Sequence, residues 1–256
     1  MESRKDMNAQ VFQLAGCMWR CWYCFVPYNL LAADSSVSGW FTPDEMIEMY
    51  LSVSNRPSII DLSGGSPDLS PEWILWIMEA LERAGQSLEV YLWSDDNLST
   101  EYLFEMLTPQ QIRLMSEYRN YGRVCCFKGF DKESFAFNTN AAAEDFDRQF
   151  QIMRRLLKET SFDLYGYVTL TTNTDDNLKG EMANFVDRLQ ALSRNLPLRV
   201  VPLEIRAFTP TKARMTVDRE RALAIQQDAI SMWNQELASR YSTEELGKPI
   251  YEIELR

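Results

Sequence analysis

The stretch SIIDLSGGSPDLSPEWILWIMEALERAG, residues 58–85, decides the fold because it contains one complete strand–turn–helix unit. Its short apolar run, Ser58 to Leu62, predicts a buried strand, and a turn rich in glycine and proline follows it. Ser70 and Pro71 then predict the start of a helix, which Gly85 ends. The apolar side chains of that helix recur at three-four spacing and predict one buried face: Ile74, Ile77, Met78 and Leu81.

The same order of strand and helix recurs along the chain, about six times in all. Further strands are predicted at residues 11–14, 88–93, 123–127, 164–171 and 198–208. Further helices are predicted at residues 42–54, 101–118 with a break at Pro109, 146–157, 178–192 and 222–237. Strands that alternate with helices imply right-handed crossovers and a parallel sheet. We therefore predict an α/β fold, a partial (β/α)6 barrel of parallel strands with outer helices.

Three segments are predicted to depart from this pattern. Residues 25–41 and 131–140 are polar and aromatic and predict loops, whereas residues 249–255 predict an added edge strand. We expect a single domain over residues 1–256, made of a loop at 16–41, the barrel at 42–210 and a C-terminal helix and tail at 211–256. In such folds the chemistry lies at the carboxyl ends of the strands.

The composition excludes several classes of protein. The chain has 256 residues, of which 46% are apolar and 25% charged, as is ordinary for a globular domain. A net charge of −11 argues against binding to nucleic acid or to anionic membranes, since both require a basic surface. No apolar signal-peptide core and no long apolar run is found, so we predict a cytoplasmic protein with reduced thiols.

Three of the five cysteines lie within GCMWRCWYC, residues 16–24, directly after the first predicted strand. Thiolates at positions 17, 21 and 24 can converge on one metal ion or cluster, because each is a soft ligand. The chain has no histidine, so a closed zinc site would have to borrow Cys125 or Cys126. Unligated, buried thiols are the other alternative. An iron–sulfur cube held by three cysteines would leave one iron open.

The spacing C-x3-C-x2-C, with Tyr23 before its last cysteine, resembles the signature of the radical S-adenosylmethionine enzymes. The words AGCMWRCWYC are similar to those of the pyruvate formate-lyase activating enzyme group within that superfamily. The resemblance implies a [4Fe–4S] cluster on Cys17, Cys21 and Cys24, whose open iron chelates S-adenosylmethionine while Tyr23 packs near the adenine. We expect the tryptophans beside these cysteines to shield the cluster from solvent.

The turn DLSGGSPDL is similar to the glycine-rich motif that follows the second strand in this family. The resemblance implies that Gly64, Gly65, Ser66 and Pro67 contact the amino end of S-adenosylmethionine. Ser66 stands where the family usually has glutamate, and its hydroxyl can accept a hydrogen bond from an ammonium without charge assistance. Two glycines also let backbone approach a ligand closely.

Three further strand ends carry candidate cofactor contacts. The turn YLWSDDNL supplies Ser94 and Asp95, and CCFKGFD supplies Lys128 where activating enzymes have a lysine facing the carboxylate. In CCFKGFD, Cys126 replaces the acid that usually precedes this lysine. Thr169 and Thr171 alternate onto one face of the fifth strand.

The resemblance implies reductive cleavage of S-adenosylmethionine to a 5′-deoxyadenosyl radical that abstracts a hydrogen atom. It also implies a low-potential electron donor such as flavodoxin or ferredoxin. Two kinds of substrate compete: a glycine of a partner protein, as in glycyl-radical activation, and a small molecule or peptide bound over the barrel mouth. A non-catalytic iron–sulfur scaffold is the remaining hypothesis, and the only feature that favours it is Ser66 in place of glutamate.

Overall fold

The computed structural model describes residues 8–255 and contains one six-stranded parallel sheet in the order β1-β2-β3-β4-β5-β6. The strands are β1 (Ala9–Gln13), β2 (Ile59–Ser63), β3 (Tyr91–Asp96), β4 (Tyr121–Phe127), β5 (Asp163–Thr169) and β6 (Val200–Leu203). A sheet whose strands follow the sequence order is what repeated right-handed strand–helix crossovers produce. The predicted α/β class and partial (β/α)6 architecture are therefore confirmed.

Helices connect these strands and also follow the last strand, and they include the predicted helices. They are α1 (Pro43–Leu51), α2 (Pro71–Arg83), α3 (Tyr102–Met106), α4 (Pro109–Glu117), α5 (Lys132–Thr139), α6 (Phe146–Glu159), α7 (Leu178–Gln190), α8 (Thr209–Lys212), α9 (Val217–Arg240) and α10 (Thr243–Leu246). The break predicted at Pro109 separates α3 from α4. Every helix within residues 8–255 is too short or too polar to serve as a transmembrane segment.

The chain divides into two compact units. The first unit consists of the described residues up to Met18, together with Tyr28–Val124 and Thr160–Asp163. In it β2 pairs in parallel with β1 and with β3, so that Asp61 lies opposite Val11 on one side and Trp93 on the other. Residues 59–62 of β2 and all residues of β3 alternate between half-buried and buried positions, as expected for strands whose two faces have different surroundings.

The second unit consists of Trp19–Pro27, Cys125–Glu159 and the described residues from Leu164 onward. Its core is an aromatic cluster in which Phe150 and Phe185 lie at the centre, with ring centroids 5.9 Å apart. Phe127 from β4 and Trp233 from α9 pack edge-on or tilted against this pair. Burial of large aromatic rings from one strand and three helices accounts for much of the hydrophobic stabilisation of this unit.

The segment predicted as a loop at residues 131–140 is largely helical, and that prediction is wrong. Asp131 caps α5 by accepting a hydrogen bond from the backbone N–H of Ser134 at 2.6 Å. The buried face of α5 includes Ser134, Asn138 and Thr139 beside Phe135. Because that face is largely polar, the helix has no apolar periodicity to reveal it.

Three strand predictions are also corrected. β3 continues to Asp96, three residues beyond its predicted end, because its last polar side chains find buried partners. β6 ends at Leu203 rather than at residue 208, and it contains Pro202, which cannot donate to a sheet ladder. The tail forms a short 3-10 turn (Ile250–Glu252) instead of an edge strand.

Candidate functional site

The first part of the cysteine loop is held in the first unit by the glycine-rich turn after β2. The backbone N–H of Ser66 donates to the carbonyl oxygen of Gly16 at 2.7 Å. A Cβ on Gly65 would lie 2.1 Å from that same oxygen and 2.4 Å from the carbonyl oxygen of Leu14. Gly64 has φ +79, a backbone conformation that side-chain-bearing residues rarely adopt. The close approach that requires glycine here is to the cysteine loop itself.

Cys17 accepts a hydrogen bond from a buried serine. The Ser66 hydroxyl donates to the Cys17 sulfur at 3.2 Å, and the Ser66 side chain is fully buried. The side-chain N–H₂ of Asn97 donates to the Ser66 oxygen at 2.7 Å and to the Gly65 carbonyl oxygen at 3.1 Å. The predicted contact between Ser66 and an ammonium stays a prediction, but the hydroxyl already has a donor and an acceptor. Sequence reasoning missed Asn97, although it ends the polar turn that contains Ser94 and Asp95.

A buried polar network supports this turn. The Arg123 guanidinium and the Asp96 carboxylate form an ion pair at 2.6 Å, and both side chains are 1% exposed. Asp96 also accepts a hydrogen bond from the backbone N–H of Leu98 at 2.7 Å. Asp68 accepts a hydrogen bond from the Ser99 hydroxyl, and burial, followed by the nearby Asp96 charge, raises the pKa of the Asp68 carboxyl.

The two residues predicted at the end of β3 point to different surroundings. Ser94 is fully buried and its hydroxyl is hydrogen-bonded to that of Tyr121 at 2.7 Å. Asp95 is half-buried and accepts a hydrogen bond from the Ser63 hydroxyl at 2.5 Å. Alternation along the strand therefore leaves Asp95 as the residue of the pair with access to a ligand.

Asp61 is a second half-buried carboxylate that the sequence analysis did not select. Burial, followed by the charge of Asp95, raises the pKa of Asp61 to about 7. One of its carboxylate oxygens is buried and has no hydrogen-bond partner among the described residues. Its signal in the sequence, a single acid within an apolar strand, is too weak to distinguish it from an ordinary exposed strand residue.

The second part of the cysteine loop is held in the second unit by Asn138 of α5. The indole N–H of Trp22 donates to the Asn138 side-chain oxygen at 3.1 Å, and the hydroxyl of Thr171 donates to the same oxygen at 2.7 Å. The Asn138 amide in turn donates to the carbonyl oxygens of Lys128 at 2.9 Å and Thr171 at 3.0 Å. Three chain segments therefore meet at one buried amide. No local pattern indicated Asn138, because its segment was predicted as a loop.

The positions of Cys21 and Cys24 are fixed through backbone groups. The N–H of Cys24 donates to the carbonyl oxygen of Cys21 at 3.1 Å, which closes a tight turn. The guanidinium of Arg214 donates to the carbonyl oxygens of Cys24 at 2.6 Å and Val26 at 3.0 Å. Cys21 is buried and Cys24 half-buried. Arg214 lies far along the chain, so no local motif indicated its role.

Tyr23 is connected to β5. The hydroxyl of Thr169 donates to the phenol oxygen of Tyr23 at 2.9 Å. Burial, followed by the charge of Cys21, raises the pKa of the Tyr23 phenol well above its usual value. The predicted site residues Tyr23, Lys128, Thr169 and Thr171 all belong to the second unit. Thr171, however, is fully buried against Asn138.

The three thiols of the cysteine loop are the donor type that an iron–sulfur cluster takes. All five cysteines are thiols, and Cys17 and Cys24 are partly accessible. Within the described part of the chain, no three cysteine or carboxylate side chains form a group that could hold a metal ion. Cys125 and Cys126 are buried in β4, so the zinc alternative gains no support from their position. Thiols on one short loop remain suitable ligands for a soft metal centre.

A cavity of about 620 Å³ lies in the second unit at the carboxyl ends of β4 and β5. Its polar and charged lining includes Asp131, Lys132, Thr172, Asp176 and Arg188. Chemistry-bearing cavities commonly occupy this end of strand–helix folds.

These features define a partial α/β barrel with three thiols in the loop after its first strand. A crystal structure of Streptococcus suis SuiB bound to S-adenosylmethionine matches with a TM-score of 0.60 at 13% identity, over 93% of this chain and 49% of SuiB. A second crystal structure of SuiB matches with a TM-score of 0.59 at 12% identity, over 93% of this chain and 48% of SuiB. The likeness is one of fold, and this chain spans about half the length of the SuiB chain. No protein-family model and no curated protein sequence matches the chain.

Proposed function

We propose that this protein is a radical S-adenosylmethionine enzyme. The observation that carries the proposal is the C-x3-C-x2-C loop, which follows the first strand of a fold shared with SuiB crystallised with S-adenosylmethionine. Cys17, Cys21 and Cys24 would hold a [4Fe–4S] cluster. When bound, that cluster supplies an electron to cleave S-adenosylmethionine to a 5′-deoxyadenosyl radical, the species that abstracts hydrogen.

The protein's own residues would bind and orient the cofactor. Tyr23, fixed by Thr169, is suited to pack against an adenine ring. Lys128 carries a positive charge after β4, where it could pair with the carboxylate of S-adenosylmethionine. Asp95, half-buried after β3, could accept hydrogen bonds from a ribose or an ammonium.

The burial and the neighbours of the remaining predicted contact residues decide the roles that we propose for them. Gly64, Gly65 and Pro67 would shape the turn, and the two glycines let it approach Gln13 and the carbonyl oxygens of Leu14 and Gly16. Ser94 and Thr171 are fully buried against Tyr121 and Asn138, so we propose that they support the strand ends instead of touching the cofactor.

A small molecule or a peptide is the first candidate substrate. The cavity of about 620 Å³ in the second unit has a charged lining that suits a small polar ligand. Its lining contains none of the residues proposed to hold the cluster or the cofactor, so the candidate substrate is not assigned to it. A glycine of a partner protein, as in glycyl-radical activation, is the second candidate, favoured by the wording around the cysteines. An electron donor such as flavodoxin or ferredoxin would complete the system in a cytoplasmic setting.

Anaerobic reconstitution with iron and sulfide, reduction with dithionite and chromatography for 5′-deoxyadenosine test the proposal. We expect 5′-deoxyadenosine from the wild-type protein and none from Cys24→Ala. A fully loaded, reduced wild-type protein that leaves S-adenosylmethionine intact would instead identify an iron–sulfur scaffold. A glycyl-radical EPR doublet after incubation with candidate partner proteins would favour the activating role over a small substrate.

A further inference from the structure

The bonding of Ser66 has a defined direction. Its oxygen accepts a hydrogen bond from the Asn97 amide at 2.7 Å, so its own proton is left to donate to the Cys17 sulfur at 3.2 Å. An amide N–H₂ can only donate, which fixes the order of donors from Asn97 to Ser66 to Cys17. The nitrogen of the Asn97 amide also lies 4.0 Å from the same sulfur.

Asn97 is itself held in place on both sides. Its second amide hydrogen bonds to the carbonyl oxygen of Gly65 at 3.1 Å. Its backbone N–H donates to Asp68 at 3.4 Å, and the following residue, Leu98, adopts a left-handed conformation with φ 50. Asn97 and Ser66 are 6% and 0% exposed, so water does not compete for these bonds. The backbone contact between the turn and the cysteine loop needs only the two glycines. The buried hydrogen bonds from Asn97 to Ser66 and from Ser66 to Cys17 are therefore not required to form the turn.

We propose that Asn97 and Ser66 form a hydrogen-bond relay that positions the Cys17 sulfur and withdraws electron density from it. Asn97 is a positioning residue in this relay, since it acts on the sulfur through Ser66. The part of the inference that concerns a cluster rests on the proposed function, whereas the bond to the thiol does not. Hydrogen bonds to cysteine sulfur raise the reduction potential of an iron–sulfur cluster. The serine that replaces the family's glutamate would therefore serve the sulfur and not the ammonium.

The relay is tested first in the metal-free protein. Alkylation of Cys17 by iodoacetamide at pH 7 is followed by peptide mass spectrometry, with Cys24 of the same molecules as internal reference. Loss of the donor in Ser66→Ala should slow alkylation of Cys17 relative to Cys24 roughly two- to five-fold, because the sulfur loses the hydrogen bond that holds it in place for attack. Ser66→Thr, which keeps the hydroxyl, should restore the wild-type ratio. Ser99→Ala removes a buried hydroxyl bonded to Asp68 in the same network and should leave the ratio unchanged.

Asn97→Asp separates the relay from simple packing. The substitution preserves size but replaces the donor by an acceptor, which draws the Ser66 proton away from sulfur. Like Ser66→Ala, it should lower the alkylation rate of Cys17 relative to Cys24. An unchanged alkylation ratio in both folded variants overturns the relay.

The second arm uses the reconstituted protein and a redox titration followed by EPR. Ser66→Ala should lower the midpoint potential of the cluster, while Ser66→Thr and Ser99→Ala should match the wild type. An unchanged potential in a loaded Ser66→Ala protein overturns the electronic part of the inference. If the wild-type protein binds no cluster, the proposed function fails, and the alkylation ratio still decides whether the relay acts on the thiol.

Discussion

Asn97 and Asn138 each anchor part of the cysteine loop, but in different units and through different partners. Asn97 acts on a sulfur, since its amide bonds the serine that donates to Cys17. Asn138 acts on an indole and on backbone carbonyls, and so fixes Trp22 and the ends of β4 and β5. The difference shows that the contacts of the part with Cys17 influence the chemistry of a thiol, whereas the contacts of the part with Trp22 fix the shape of the loop.

The largest effect is expected from removing the support beneath Asn97. In Arg123→Ala the buried Asp96 carboxylate loses its ion-pair partner, and we expect a loss of about 3–5 kcal/mol in the free energy of unfolding. Arg83→Ala breaks an exposed pair with Asp44 and should cost less than about 1 kcal/mol. Urea denaturation compares the two variants. Equal, small losses of unfolding free energy in both variants would show that the Arg123–Asp96 pair does not support the turn that contains Asn97.

Asn138→Ala should destabilise the protein somewhat less, by about 3 kcal/mol, because the Trp22 indole and two carbonyl oxygens lose a buried partner. The exposed Asn234→Ala on α9 is the matched control and should change stability by less than about 0.5 kcal/mol. Both are measured by urea denaturation. If Asn138 only fixes the shape of the loop, Asn138→Ala should change the ratio of the alkylation rates of Cys17 and Cys24 less than Asn97→Asp does. A larger change in that ratio for Asn138→Ala than for Asn97→Asp would contradict the difference in role between the two asparagines.

The smallest effect concerns pH and Asp61. Because the pKa of this carboxyl is raised to about 7 in the folded protein, the native state holds its proton after the unfolded chain has lost it. The stability that it contributes is therefore lost as the pH rises from about 4 to about 7. The neutral Asp61→Asn lacks this loss and should be more stable than wild type by about 1 kcal/mol at pH 8, allowing for partial solvent screening.

Denaturation at pH 5 and pH 8 measures the effect. The advantage of Asp61→Asn should grow between the two values. Asp34→Asn is the control, because hydrogen bonds from Ser36 lower the pKa of this exposed carboxyl. Asp34 is therefore ionised in both the folded and the unfolded chain across this range, and the effect of its substitution should be the same at pH 5 and pH 8. An advantage for Asp61→Asn that is the same at both pH values would contradict the raised pKa.

The sequence was sufficient for the features that depend on periodicity and local capping. The alternation of strands and helices predicted the parallel sheet. The helix predicted from residue 42 is capped by Thr42, and the break predicted at Pro109 is where α4 begins. It failed where a polar face is buried by distant partners, as in α5, whose Asn138 meets Trp22 and Thr171. It also failed to predict the end of β3, where Arg123 pairs with Asp96. Such partners are decided by tertiary packing and leave no periodic signal.

The candidate site divides in the same way. The cysteine spacing selected the loop. The glycines indicated a close backbone approach to a ligand, and the structure shows a close approach to the carbonyl oxygens of Leu14 and Gly16. The hydroxyl of Ser66 was predicted to face a ligand, and no pattern in the sequence could reveal that Asn97 turns its proton toward Cys17. Hydrogen-bond direction depends on which donor lies on the far side, and that requires three-dimensional coordinates.

The central claim is that the three loop cysteines hold an iron–sulfur cluster, and the iron and sulfide content after anaerobic reconstitution tests it most directly. We predict about four irons and four sulfides per chain for wild type and for Cys126→Ala, whose thiol lies in β4. Cys21→Ala should lose the cluster and its brown colour. A Cys21→Ala protein that loads iron and sulfide as wild type does would contradict the account.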